Sequence, residues 1–160
     1  MVVLRPNEPI PESVRVLLGG PPEDARSVRL HKDSEVTMLA VLVALFHPLP
    51  FKRATFGVDP GQISGLALLG DGQPLMWAEC LSAAAIVERI VAWRQAVSAE
   101  SWHLHVGDGT PESMGLLSAV KKIWPEISAS LVHEQATTPI SPQTMSRHTD
   151  AALIIAHRNP

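Results

Sequence analysis

Thr55-Phe56-Gly57-Val58-Asp59-Pro60-Gly61-Gln62-Ile63-Ser64-Gly65-Leu66-Ala67-Leu68-Leu69 decides how the rest of the chain is read. An apolar strand runs into an acid, a Pro-Gly pair reverses the chain, and a second apolar strand leaves. Pro60 fixes its own φ and Gly61 tolerates φ > 0, so a tight turn is expected directly after Asp59. A carboxylate in that position stands at the rim of a sheet, facing an open crevice. Turn chemistry alone also accounts for an Asp-Pro-Gly run. The chain carries its own control, because Asp71-Gly72 also joins two apolar runs. What separates the two turns is the pattern around them.

Outward from this stretch the spacing alternates between strand and helix. Strands are predicted over Ala54–Val58, Ile63–Leu69 and Gln73–Glu79, the last two joined by the Gly70-Asp71-Gly72 hairpin. Ser82 starts a helix in which Ala85, Ile86, Ile90, Trp93 and Val97 recur at helical spacing. A fourth strand covers Trp102–Val106. Thr110 then caps a helix that begins at Pro111 and ends before Pro125. A fifth strand, Ala129–His133, and a closing helix over about Pro142–His157 complete the order β-β-β-α-β-α-β-α. The fold class is α/β with a mixed five-stranded sheet, the last two strands arriving by helical crossovers that favour parallel pairing. In such sheets ligands collect outside the carboxyl ends of the strands. Asp59, Asp108 and Glu134 each follow the end of a strand expected to run parallel.

Composition narrows the options. At 160 residues and 46% hydrophobic, the chain is sufficient for one α/β domain with an ordinary core. The single cysteine, Cys80, excludes an internal disulfide and points to a reducing, cytoplasmic setting. Tyrosine is absent and the net charge is -3, so any nucleic-acid affinity has to come from a local basic patch rather than a stacking platform. Lys121, Lys122 and Arg147, with Lys52, Arg53 and Arg158, are the candidates. Trp77, Trp93, Trp102 and Trp124 fall at core-like positions and read as packing. His105, His133 and His148 lack the paired spacing of a helical zinc site.

Residues 1–53 differ in character. Pro6, Pro9, Pro11, Pro21, Pro22 and the Gly19-Gly20 pair describe an extended arm, with no basic-then-apolar leader at its start. Asp33 or Ser34 caps a helix over Glu35–Phe46 that is apolar nearly all round and much shorter than the roughly 20 residues a bilayer requires. It reads as a buried helix or subunit contact, with no membrane role. The expected division is a small helical N-terminal extension, 1–53, and an α/β domain, 54–160.

Gly57-Val58-Asp59-Pro60-Gly61 with Gly65 resembles the G-[IV]-D-P-G-x-x-x-G opening of the RuvC-like branch of the ribonuclease H-like superfamily. Glu134 with Thr137-Thr138 resembles the D-E-R-x-T-T block of the YqgF family, with His133 and Gln135 in place of its Asp and Arg. Asp150-Ala151-Ala152-Leu153-Ile154-Ile155-Ala156 resembles the D-A-x-x-[IL]-[IA] helix that brings in the last carboxylate, and Asp108 lies where the family's fourth strand ends. The resemblance runs from Ala54 to His157; residues 1–53 have no counterpart in it.

That resemblance implies a ribonuclease H-like fold and a divalent-metal-dependent nuclease acting on structured or branched nucleic acid, as Holliday-junction resolvases do. Such chemistry uses two Mg2+ or Mn2+ ions about 3.5–4 Å apart held by hard oxygen ligands. Asp59 and Asp150 are the expected ligands, with Asp108 and Glu134 competing for the next place and Glu79 and Glu112 weaker. Asp150 precedes an apolar helical run, where a charge is costly unless paired or metal-bound; Arg147, three residues back, is the structural partner it would otherwise have. RuvC-type resolvases work as dimers, so a homodimer is implied. Two competitors remain. Sugar kinases and actin-like ATPases share the topology but need a second, duplicated domain; a non-catalytic module of the same fold would bind a protein or nucleotide partner instead.

Overall fold

In a computed structural model the Thr55–Leu69 stretch is a pair of antiparallel strands at the centre of one five-stranded sheet. The structure describes residues 16–19, 27–46, 50–133 and 146–158. The chain divides into two compact units, Met1–Pro48 and Leu49–Pro160.

In the first unit, β1 (Leu17–Leu18) pairs in parallel with β2 (Ser27–Val28), and α1 covers Ser34–Phe46. Asp33 supplies the cap, its Oδ1 accepting from the Glu35 N–H at 2.8 Å. Val36, Leu39 and Val43 of α1 are buried, whereas Met38 and Phe46 are exposed.

The second unit contains β3 (Phe51–Asp59), β4 (Ser64–Gly70), β5 (Gln73–Cys80), α2 (Ala83–Ala96), β6 (Ala99–Gly107), α3 (Glu112–Ile123), β7 (Ser128–Val132) and α4 (Arg147–His157). The sheet order is β5-β4-β3-β6-β7, antiparallel among the first three and parallel from β3 to β7. The unit is therefore α/β with the mixed five-stranded sheet that the spacing predicts. Strand β3 begins at Phe51, so residues 51–53, assigned from the sequence to the N-terminal extension, belong to the strand. Thr110 does not cap α3 with its side chain. Its carbonyl accepts from the Ser113 N–H at 3.2 Å, while its hydroxyl lies 3.3 Å from that of Ser113.

The two faces of the sheet are packed differently. On one, Phe56, Val58, Leu66, Leu68, Leu104 and Val106 are fully buried. Trp102, on the same face as Phe56 by alternation along the strands, stacks on it at 5.6 Å and meets Trp124, at the end of α3, edge-on at 5.2 Å. The α2 residues Ile86, Ile90 and Trp93 are buried, and Arg94 of α2 lies over the Trp124 ring at 3.7 Å. The other face belongs to α4, whose Ala152, Leu153 and Ala156 form a buried cluster with Ala67 and Leu69 of β4. Of the four tryptophans, Trp77 departs from the packing expectation. It is 41% exposed because β5 is an edge strand.

Glycine explains how closely α4 settles. A Cβ at Gly57 would stand 2.1 Å from the Ala152 carbonyl oxygen, and one at Gly65 only 1.9 Å from that of His148. Both obstacles are helix backbone, which has no rotamer by which to move aside. The helix thus rests directly on β3 and β4, and its first turn is fixed over the carboxyl end of β3.

Candidate functional site at the carboxyl end of the central strand

Register sets the geometry. Asp59 pairs with Gly65, and Gly65 with Glu79, so one row across β3, β4 and β5 reads Asp, Gly, Glu. Cross-strand partners share a face, and Gly57, two residues before Asp59, shows that this face is the α4 side. The missing side chain at Gly65 is where the first turn of α4 sits, between the two acids.

That turn is built from local hydrogen bonds. Ser146 caps it, its hydroxyl oxygen accepting from the His148 N–H at 3.1 Å. The same hydroxyl donates to the Glu79 carboxylate. The Thr149 hydroxyl and the Asp150 N–H both donate to the Ser146 carbonyl, at 2.9 and 3.0 Å. His148 reaches back to the central strand, its Nδ1 3.7 Å from Asp59 Oδ2. Asp150 lies two residues on, 1% exposed. Negative charge in the first turn of a helix is favourable, which offsets part of the cost of burying Asp150 there.

The turn after Asp59 is held by another residue. The Ser64 hydroxyl accepts from the Gly61 N–H and donates to the Gly61 carbonyl, both at 3.2 Å. Gly61 does not adopt the positive φ that the Pro-Gly pair suggests; among the described glycines only Gly19 and Gly72 do.

The other predicted residues are distributed as follows. Asp108 comes just after β6, its N–H donating to the Val132 carbonyl at 3.1 Å and its carboxylate 2.8 Å from His133 Nδ1, at the neighbouring strand end. Glu134, with Thr137-Thr138, lies outside the described residues. Arg147 is exposed in the first turn of α4. Lys121 and Lys122 occupy the last turn of α3. Because α3 leads from the carboxyl end of β6 back to the amino end of β7, that turn lies at the end of the sheet away from Asp59. The basic rim expected around the acids therefore does not include these two lysines. Glu112 is in the first turn of α3, where an acid complements the helix dipole.

Two residues at this end carry more than their sequence context suggests. Neither has a sequence signal: counting back from the Gly70–Gln73 pair would put Ala78 opposite Gly65, and Glu79 takes that place only through the register shift between Leu68 and Leu69. The approach of His148 to Asp59 depends on how deeply two glycines let α4 settle.

For a divalent ion, the donors fit in kind: Asp59 and Asp150 are hard carboxylate oxygens on one side of the sheet. Among the described residues, however, no group of three or more His, Cys, Asp and Glu is spaced to hold a metal ion. A further donor would have to come from Glu134, or from Asp108 or Glu79 after a change of side-chain partner. Among the described residues no helix is long and apolar enough to cross a membrane.

Beneath the middle of α4 lies a buried histidine. His105, cross-strand from Gly57, is 1% exposed; its Nδ1 is 3.3 Å from the Ile155 carbonyl, and among the described residues its Nε2 has no hydrogen-bond partner. Burial pushes its pKa below 6.5, the Ile155 bond pulls it partly back, and the nearby Arg53 charge lowers it further. Searched against models of known protein families the chain matches none, and no curated protein sequence is similar to it.

Proposed function

We propose that the Leu49–Pro160 unit is a ribonuclease H-like, divalent-metal-dependent nuclease for structured or branched nucleic acid. The observation that carries this reading is the seat of α4. Gly57 lets the middle of α4 lie directly on β3, and Gly65, paired with Asp59, receives its first turn, in which Asp150 is buried. A meander followed by two parallel strands, the order implied by the resemblance to RuvC-like nucleases, supports the same assignment.

In this reading Asp59 and Asp150 hold the Mg2+ or Mn2+ ions, with Glu134 or Asp108 as the next ligand. The bound metals supply activation of water and stabilisation of the leaving oxygen. The chain's own contribution is positioning. Asp59 is fixed at the end of a buried strand, and Asp150 by the capped first turn of α4. His148 stands between strand and helix. Arg147, exposed in the same turn, would meet a substrate phosphate. The nuclease acts as a homodimer in the cytoplasm on this reading, as the resemblance and the cysteine usage imply.

A second reading is a non-catalytic module of the same fold that binds a protein or nucleotide partner. One observation favours it. Glu79 and Asp108 are engaged by protein groups, the Ser146 hydroxyl and the His133 ring. Incubating the full chain with a four-way DNA junction and with a stem-loop RNA, in Mg2+ or Mn2+, separates the two. The nuclease reading expects cleavage of at least one substrate, lost in both Asp59→Asn and Asp150→Asn. No cleavage of either, or cleavage that survives both substitutions, leaves the module.

A further inference from the structure

At the other end of α4 the chemistry reverses. Its last residues, Ala156 and His157, and the following Arg158 face Arg53 and Thr55 of β3 and Leu69 of β4 across a crevice of about 220 Å3. Arg53 is six positions before Asp59, which at about 3.3 Å per residue separates the crevice from the acidic end by about 20 Å. None of the described residues that line it carries a side-chain carboxylate. Asp71, next to the lining Gly72, directs its carboxylate to the backbone N–H groups of Lys52 and Arg53, at 3.3 and 2.8 Å.

We propose that this crevice is a phosphate-binding site, with Arg53 and Arg158 as its cationic walls and the Thr55 hydroxyl at its floor. Guanidinium groups match the geometry of phosphate oxygens and keep their charge at any physiological pH. Arg158 is steadied by donating through Nη1 to the His133 carbonyl, one of the five donors on its fork. Thr55 lines the crevice and is only 6% exposed, which places it at the floor rather than the rim. The volume is below the roughly 300–1,000 Å3 of pockets for drug-sized ligands, which suits a single phosphate group. Burial first, and the Arg53 charge after it, lower the pKa values of His103 and His105 on the same face, so a positive field reaches this part of the sheet. Lys52 and the Lys121-Lys122 pair fall at the same end of the sheet. No residue is shared with the Asp59 site, so the inference stands whether or not the nuclease reading does.

The test is a titration of the full chain with inorganic phosphate, followed by amide NMR at constant ionic strength with chloride as control. Saturable shifts are expected at Arg53, Thr55 and Ala156 to Arg158. Arg53→Gln and Arg158→Gln should each weaken the interaction by about tenfold or more, and Asp59→Asn should leave it unchanged. Arg158→Gln, at a helix end, covers the case in which the strand variant does not fold. A short oligonucleotide without terminal phosphates identifies the source. If it shifts the same amides, the site takes backbone phosphodiesters; if only inorganic phosphate does, it takes a free phosphate. Shifts reproduced by chloride, or undiminished in arginine variants that keep the native spectrum, overturn the proposal.

Discussion

Strand β4 is bounded by two acid-containing turns, and they are built on different principles. At Asp71-Gly72 both residues have positive φ, 47° and 78°, and the Asp71 carboxylate accepts from the backbone of β3. The acid there serves the hairpin itself. At Asp59-Pro60-Gly61 the turn is tied by Ser64, and the Asp59 carboxylate lies 3.7 Å from His148 Nδ1 on α4. The glycines differ in the same way. Gly72 is needed for its φ, and a Cβ there would have nothing within 4 Å, whereas Gly65 is needed because a helix backbone occupies the space. An acid required by its own turn is a structural acid. One whose turn is secured by a neighbour can serve a ligand.

The largest effect should come from the glycine seat. Gly65→Ala forces either β4 or the first turn of α4 to move, and overpacking typically costs about 1–3 kcal/mol and occasionally more. We expect the top of that range, with hydrogen exchange accelerated in α4 and little changed in α2. A fully stable variant with α4 still protected would break the distinction between the two turns. Next comes Asp71→Ala, which removes two acceptor bonds and leaves an unfavourable positive φ, for a loss of about 1–2 kcal/mol by urea unfolding. A neutral result would mean that Asp71 is no more structural than Asp59.

His105 gives the comparison a pH axis. Its folded pKa lies below the unfolded 6.5, so both states are neutral above that value. As pH falls through 6.5 the unfolded chain takes up the proton first, and stability is lost towards the lower folded pKa. Stability curves measured from pH 8 to pH 5 should therefore decline below about 6.5, and His105→Gln should reduce the slope. The smallest effect belongs to Gly61→Ala. A Cβ there would meet only the Ile63 carbonyl at 3.4 Å, and the φ is not positive, so a change within about 0.5 kcal/mol is expected.

Much of the fold was legible because periodicity reports it directly. The apolar alternation through Phe56, Val58, Leu66 and Leu68 and the spacing of Ile86, Ile90 and Trp93 are each visible without a structure. The ends of elements were not, because Phe51–Arg53 is recruited into β3 by pairing with Ala99–Ser101, a contact remote in sequence. The site was partly legible. Asp59 follows from the turn and Asp150 from its apolar context, yet the part played by Gly65 depends on the depth of helix packing, which no local signal encodes. Gly61 misled, since Pro-Gly often implies a positive φ and Ser64 closes this turn by another route. The basic residues were readable as residues but not as an end of the sheet, because only the direction of α3 sends Lys121 and Lys122 away from Asp59.

The most direct test of the claim that Asp59 serves a ligand rather than its turn is the thermal stability of wild type and Asp59→Asn with and without millimolar Mn2+. Binding to the native state alone contributes about 2.7 kcal/mol when the ligand is at about 100 times Kd. The account predicts that Mn2+ raises the melting temperature of the wild type and not of the variant. In metal-free buffer the variant should be equal in stability or roughly 1 kcal/mol more stable, since it relieves repulsion among acids around one helix turn. Identical melts for the two proteins in Mn2+, with no gain over metal-free buffer, would contradict it and make Asp59 a turn residue like Asp71.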